Sequence, residues 1–142
     1  MKPQQEIKSK VTKKEISECF AELRKLSASV KNFNSYYKRI NLKIDGITDF
    51  EIIHQSIMVK AEVKLYDDTL KQNQIDYGLA VIGMMSENVY YVLIDENNYT
   101  DIRDAIGGLK LDRLTHYEIL AQHYLTCEQT RLLSKLLKRS KK

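Results

Sequence analysis

Asp49-Phe50-Glu51-Ile52-Ile53-His54-Gln55-Ser56-Ile57-Met58-Val59-Lys60-Ala61-Glu62-Val63-Lys64-Leu65-Tyr66 is the stretch on which the reading of this chain turns. In its second half Ile57, Val59, Ala61, Val63 and Leu65 alternate with Met58, Lys60, Glu62, Lys64 and Tyr66. A period of two is what a β-strand shows when one of its faces meets a core. In the first half Phe50 and Ile52 alternate with Asp49, Glu51 and Ile53, so the pattern predicts two successive strands over 48–53 and 56–66. If Phe50 and Ile52 share the core with Val59, Ala61 and Val63, then Asp49 and Glu62 converge on the opposite side of the sheet.

Working outward, Thr12 followed by Glu15 is a capping-box pair, and Ile16, Cys19, Phe20, Leu23 and Leu26 recur at helical spacing, which predicts a helix over 12–27. A further strand is expected over 37–44, before the turn at Asp45-Gly46. Beyond the central strands, 69–85 reads as a helix, Val89-Tyr90-Tyr91-Val92-Leu93-Ile94 as a strand covered on both faces, and 98–106 as a short helix stopped by Gly107-Gly108. The rest reads as two helices, 115–125 and 126–138, forming a hairpin. The order helix-strand-strand-strand-helix-strand is that of a compact α/β or α+β core. It occupies 12–110, between a basic N-terminal tail at 1–11 and a C-terminal helical extension at 111–142.

The chain has 142 residues, 43% hydrophobic and 30% charged, the balance of one globular domain with a real core. Its longest apolar stretch, 78–85, is far below the roughly 20 residues of a membrane span, and the lysine-rich start is not a secretory signal. Cys19 and Cys127 form no Cys-x-x-Cys pair, so a reducing cytoplasm is expected. The net charge is +4, yet its distribution is uneven. Lys2, Lys8, Lys10, Lys13 and Lys14 crowd one end, and Arg131, Lys135, Lys138, Arg139, Lys141 and Lys142 the other, on an acidic body. Basic ends of this kind fit contact with a polyanion, and equally fit solvated termini.

Glu62 and Lys64 stand two apart on one strand face, a spacing that also describes an ordinary surface ion pair. Asp49 on the preceding strand adds a second carboxylate. Two converging carboxylates and the Val63 backbone carbonyl make a reasonable oxygen set for Mg²⁺ or Mn²⁺, which keep several waters and take only one or two protein carboxylates. A cation there would activate water and hold a phosphate oxygen, while Lys64 orients the nucleophile and offsets charge on the phosphoryl group. That chemistry is phosphodiester hydrolysis.

Asp49 followed by Glu62-Val63-Lys64, within this element order, resembles the PD-(D/E)XK nuclease superfamily. Gly46-Ile47-Thr48-Asp49, the strand Ala61-Glu62-Val63-Lys64 and Leu70-Lys71-Gln72-Asn73-Gln74 resemble its VRR-NUC and Holliday-junction-resolvase-like members most closely. The likeness extends over about 12–109. Thr48 stands where the family's proline would, and the Val-Arg-Arg signature is absent. The resemblance implies a restriction-endonuclease-like core, Asp49 and Glu62 as metal ligands, Lys64 as the catalytic lysine, Gln74 as an auxiliary residue, and Glu15 from the first helix as a further ligand. It also implies Mg²⁺, with Mn²⁺ able to substitute, and a homodimer cutting branched DNA such as a Holliday junction. A lysine-rich cytoplasmic nuclease of this size suits a phage or mobile element.

Other residues invite other readings. Lys38 and Arg39, beside the tyrosine-rich segment 33–37, and Arg131, Lys135, Lys138 and Arg139 are candidate DNA contacts. His116, His123 and Cys127 share a helical side, but a helix break near Leu125 would spoil the ligand spacing. The alternative to a nuclease is a non-catalytic DNA-binding protein whose C-terminal hairpin acts like a helix-turn-helix, with 126–131 opening the recognition helix. A third reading, compatible with the first, makes Leu132, Leu133, Leu136 and Leu137 a dimerisation surface.

Overall fold

A computed structural model describes residues 10–32, 48–66 and 68–140. In chain order the elements are α1 (Lys13–Ala21) running into a 3₁₀ turn (Glu22–Leu26), β1 (Ser29–Asn32), β2 (Phe50–His54), β3 (Ile57–Val63), α2 (Gln72–Gly83), β4 (Val89–Ile94), α3 (Tyr99–Gly107) and α4 (Leu111–Ser140). The architecture is α+β, with a mixed sheet ordered β1-β2-β3-β4 among the described residues. The β1–β2 and β2–β3 pairs are antiparallel and β3–β4 is parallel.

The alternation of β2 and β3 decides the layering. Phe50 pairs with Ala61 and Ile52 with Val59, and all four are buried with Ile57 and Val63 on one face. Against that face pack Ile16 and Phe20 of α1, Leu23 of the 3₁₀ turn, and Ile102, Ala105 and Ile106 of α3. Each such large apolar side chain removed from water contributes about 1.5–3 kcal/mol. Val92 and Ile94 of β4 point into the same layer, while Tyr91 faces the other way. On the second face Tyr91 meets Ile75 of α2 and Ala121 and Leu125 of α4, with Leu70 ahead of α2. The parallel β3–β4 connection runs through α2, the usual helical crossover between parallel strands.

Two expectations are corrected. The C-terminal segment is one continuous helix, Leu111–Ser140, and not a hairpin of two. No glycine or proline stands between Leu111 and Ser140 to stop it, Leu125 is fully buried in the second layer, and Thr126 stays helical by donating its hydroxyl to the Gln122 carbonyl oxygen. A single helix cannot be a helix-turn-helix, so that form of the DNA-binding alternative falls. The second correction is the strand Ser29–Asn32, where the sequence pattern predicts none. The strand expected at 37–44 and the turn Asp45-Gly46 lie outside the described residues, as do Lys38, Arg39 and the segment 33–37.

At the start of α1 the Thr12 hydroxyl accepts from the Glu15 amide at 3.2 Å, the N-cap half of the expected capping pair. Strand β4 spans the expected residues, α3 ends at Gly108 as its cap, and α2 begins later than expected, at Gln72. No helix among the described residues is long and apolar enough to cross a membrane.

Candidate active site

The second face of the sheet carries the charged residues. On β2 and β3 they fall into two groups. Glu51 and Lys60 are direct partners in the β2–β3 register and form a partly buried ion pair of 2.9 Å. Farther toward the end of β3, Asp49 and Glu62 are both buried, at 8% and 3% exposure. Buried carboxyls are costly unless they are bonded, and this pair is. The Asp49 amide donates to Glu62 Oε2 at 3.2 Å, and the Val63 amide donates to Asp49 Oδ2 at 2.9 Å. Each strand thus supplies a backbone N–H to the carboxyl of the other. Immediately before Asp49, the buried Thr48 hydroxyl donates to the Phe50 carbonyl oxygen at 3.2 Å and fixes the turn into β2.

Gln74 completes the pair from α2. Its side-chain nitrogen donates to Glu62 Oε1 at 3.0 Å, while its side-chain oxygen accepts from the Lys71 amide at 2.8 Å, capping the helix. An amide suits both ends, since it carries a donor for Glu62 and an acceptor for the helix on one side chain. The first turn of α2 and the acidic pair are therefore locked together.

Burial, reinforced by the neighbouring Asp49 carboxylate and the hydrogen bond between them, pushes Glu62 up to about 8. The charge of Lys13, at the start of α1, acts in the opposite sense. Two carboxyl groups held this close disfavour each other's charge, and a hard divalent cation between their oxygens would offset that repulsion. Among the described residues no group of three or more His, Cys, Asp and Glu could hold a metal. Glu15 is exposed on α1, where its amide meets the Thr12 cap, and it is not grouped with Asp49 and Glu62.

Lys64 makes no ion pair with Glu62 among the described residues; its ammonium instead stands 3.7 Å from the ring centroid of Tyr124 on α4. A surface Glu–Lys pair is thus not what this spacing builds. Tyr91 is 1% exposed, and burial beside Glu62 and Asp49 raises its phenol so far that it remains protonated. Its ring lies against α2 where Gly78 leaves room: a Cβ there would come within 2.7 Å of Tyr91 Cζ. Lys13, Tyr91 and Tyr124 escape the sequence reading. Of the three, Tyr91 alone leaves a signal, since the β4 alternation sets it opposite the core-facing Val92.

The remaining candidates lie elsewhere. Arg131 is paired with Glu128 one turn back on α4 at 2.8 Å, and Lys135, Lys138 and Arg139 are exposed near its end. The expected helix break beside His116, His123 and Cys127 is absent, and Cys127 Sγ lies 3.7 Å from His123 Nε2 as an ordinary neighbour one turn away. Compared with family models, curated proteins and solved structures, the chain matches none of them.

Proposed function

We propose that this chain is a metal-dependent DNA endonuclease with a PD-(D/E)XK-type core, acting on branched DNA as a homodimer. The observation that carries the reading is the buried Asp49–Glu62 pair, bonded across two strands and tied to α2 by Gln74, with Lys64 directly after the end of β3. Burying two carboxyls side by side costs stability even when both are hydrogen-bonded, a cost that a packed apolar pair would not carry.

Asp49, Glu62 and the Val63 carbonyl would hold Mg²⁺, or Mn²⁺ in its place. The chemistry such a cation supplies is Lewis acidity, which activates water and neutralises charge on a phosphate oxygen. The chain's own groups do the rest. Gln74 fixes the Glu62 carboxyl through one oxygen and leaves the other toward Asp49. Lys64, a cation with three donors, orients the attacking water and stabilises charge developing on the phosphoryl oxygens. Hydrolysis breaks one phosphorus–oxygen ester bond as the water oxygen attacks, and the leaving oxygen takes a proton. Two strands of a junction call for two such sites, which two-fold pairing of identical chains supplies most simply.

The test is cleavage of labelled four-way junctions and linear duplex with Mg²⁺, Mn²⁺, Ca²⁺ or excess chelator. Cutting is expected with the first two only, with Ca²⁺ supporting binding, because its looser coordination activates water poorly. Cutting that persists in chelator would refute the reading.

A further inference from the structure

Lys64 carries its ammonium on a flexible four-carbon stem, so something must hold it if it is to serve one place. Its partner comes from a helix outside the stretch that carries the motif. The Lys64 Nζ stands 3.7 Å from the ring centroid of Tyr124, closer than the other cation–ring contacts described, Lys10 over Tyr66 at 5.3 Å and Lys60 over Tyr77 at 5.9 Å. The Tyr124 ring is itself held. It is half-buried and packs against the layer of Leu70, Ile75, Tyr91, Ala121 and Leu125 that joins α2 and α4 to the sheet. Lys64 and Tyr124 together wall a cavity of about 200 Å³ beyond the ends of the parallel strands β3 and β4, lined also by Asp95, Glu96 and Tyr117 and separate from the Asp49–Glu62 pair. Glu96, the acid whose carboxylate feels Lys64, is engaged by the Tyr66 amide at 2.9 Å.

We propose that Tyr124 is the positioning residue for Lys64: the face of its ring holds the ammonium on the side of the sheet that carries Asp49 and Glu62, so that α4 completes the active site. The role rests on the nuclease reading above; the contact does not. Attraction of an ammonium to a tyrosine face needs the ring and not the hydroxyl. Phenylalanine at 124 should therefore preserve it, and leucine, an apolar residue and good helix former without a ring, should abolish it while keeping α4 intact.

The full chain and its Y124F and Y124L variants are compared in three measurements: junction cleavage with Mn²⁺, Mn²⁺ affinity, and the rate at which formaldehyde and borohydride methylate Lys64, followed by peptide mass spectrometry. For Y124L the expected result is a fall in kcat of about 10- to 100-fold with KM and Mn²⁺ affinity unchanged, as for a misplaced catalytic group. Lys64 methylation should rise severalfold in Y124L and stay at the wild-type rate in Y124F, whose kcat stays within about threefold. Wild-type kcat in Y124L, equal losses in both variants, or a loss that follows Mn²⁺ affinity would overturn the positioning role. Lys64 methylation unchanged in Y124L would overturn the contact itself, whether or not the protein cuts DNA. Cleavage absent in the wild type would refute the nuclease reading alone, leaving methylation to report on the contact.

Discussion

Glu62 ties stability to pH in a direction opposite to that of most acidic residues. Its carboxyl titrates near 8 in the folded chain against an ordinary value of 4.5, because burial and Asp49 disfavour its charge. Between those values the folded state therefore holds a proton that the unfolded state has released. Stability must then fall as pH rises through this window, and the loss is complete only above the folded value. Integrated from pH 5 to 8, such a shift amounts to roughly 3 kcal/mol, at about 1.36 kcal/mol per unit. For a domain of this size that is on the order of 2 M in the urea midpoint. The assay is urea unfolding from pH 5 to 8 in chelator, with E62Q run beside the wild type so that other titrating groups cancel. Glutamine cannot ionise, so the wild type should lose its advantage or fall below the variant as pH rises. Mg²⁺ should restore wild-type stability at pH 8, since ligand binding to the folded state competes with protonation. A flat difference curve, or one that rises with pH, would refute the argument.

Three further outcomes are expected. E62Q should lose both Mn²⁺ affinity and cleavage, whereas K64A should keep Mn²⁺ affinity and lose about 10²–10³-fold in cleavage rate, both read on junction substrates with calorimetry for the metal. Exchanging Lys135, Lys138 and Arg139 for glutamine should lower the slope of log K against log salt for duplex binding by up to roughly 0.9 for each phosphate no longer neutralised, and an unchanged slope would make these side chains bystanders. Gly78→Ala, a change that favours an exposed helix, should here cost about 1–3 kcal/mol in urea unfolding, because the new methyl would press to 2.7 Å on both Tyr91 Cζ and Leu125 Cδ1.

The central hairpin was legible because alternation is a physical constraint: once Phe50 and Ile52 are known to face the core, Asp49 and Glu62 have only one side to occupy. The Thr12 cap and the paired glycines at the end of α3 marked their helix ends for similar local reasons. Strand β1 left no such mark. It is four residues long, and its burial rests on Val30, so no period can be read from it. Thr126 followed by Gln129 imitates a helix start, but a threonine that bonds back to its own helix is equally at home inside one. The site divides along the same line. Gln74 could be placed by its motif, whereas Tyr124 meets Lys64 from sixty positions away, through packing that no local pattern encodes.

The unbroken course of α4 turns it into a ruler. Thirty residues of helix span about 45 Å, and the fifteen steps from Tyr124 to Arg139 cover about 22 Å of it. At 3.4 Å per base pair, that is some six base pairs of duplex. Where a hinged hairpin would have let the basic end wander, a stiff rod would, for the nuclease proposed above, set one offset between the phosphate being cut and any phosphates held by Lys138 and Arg139. Inserting seven residues after Leu132 would keep the same side facing outward and lengthen that offset by about 10 Å, or three base pairs. The protected stretch of DNA measured from the cut should lengthen by the same amount.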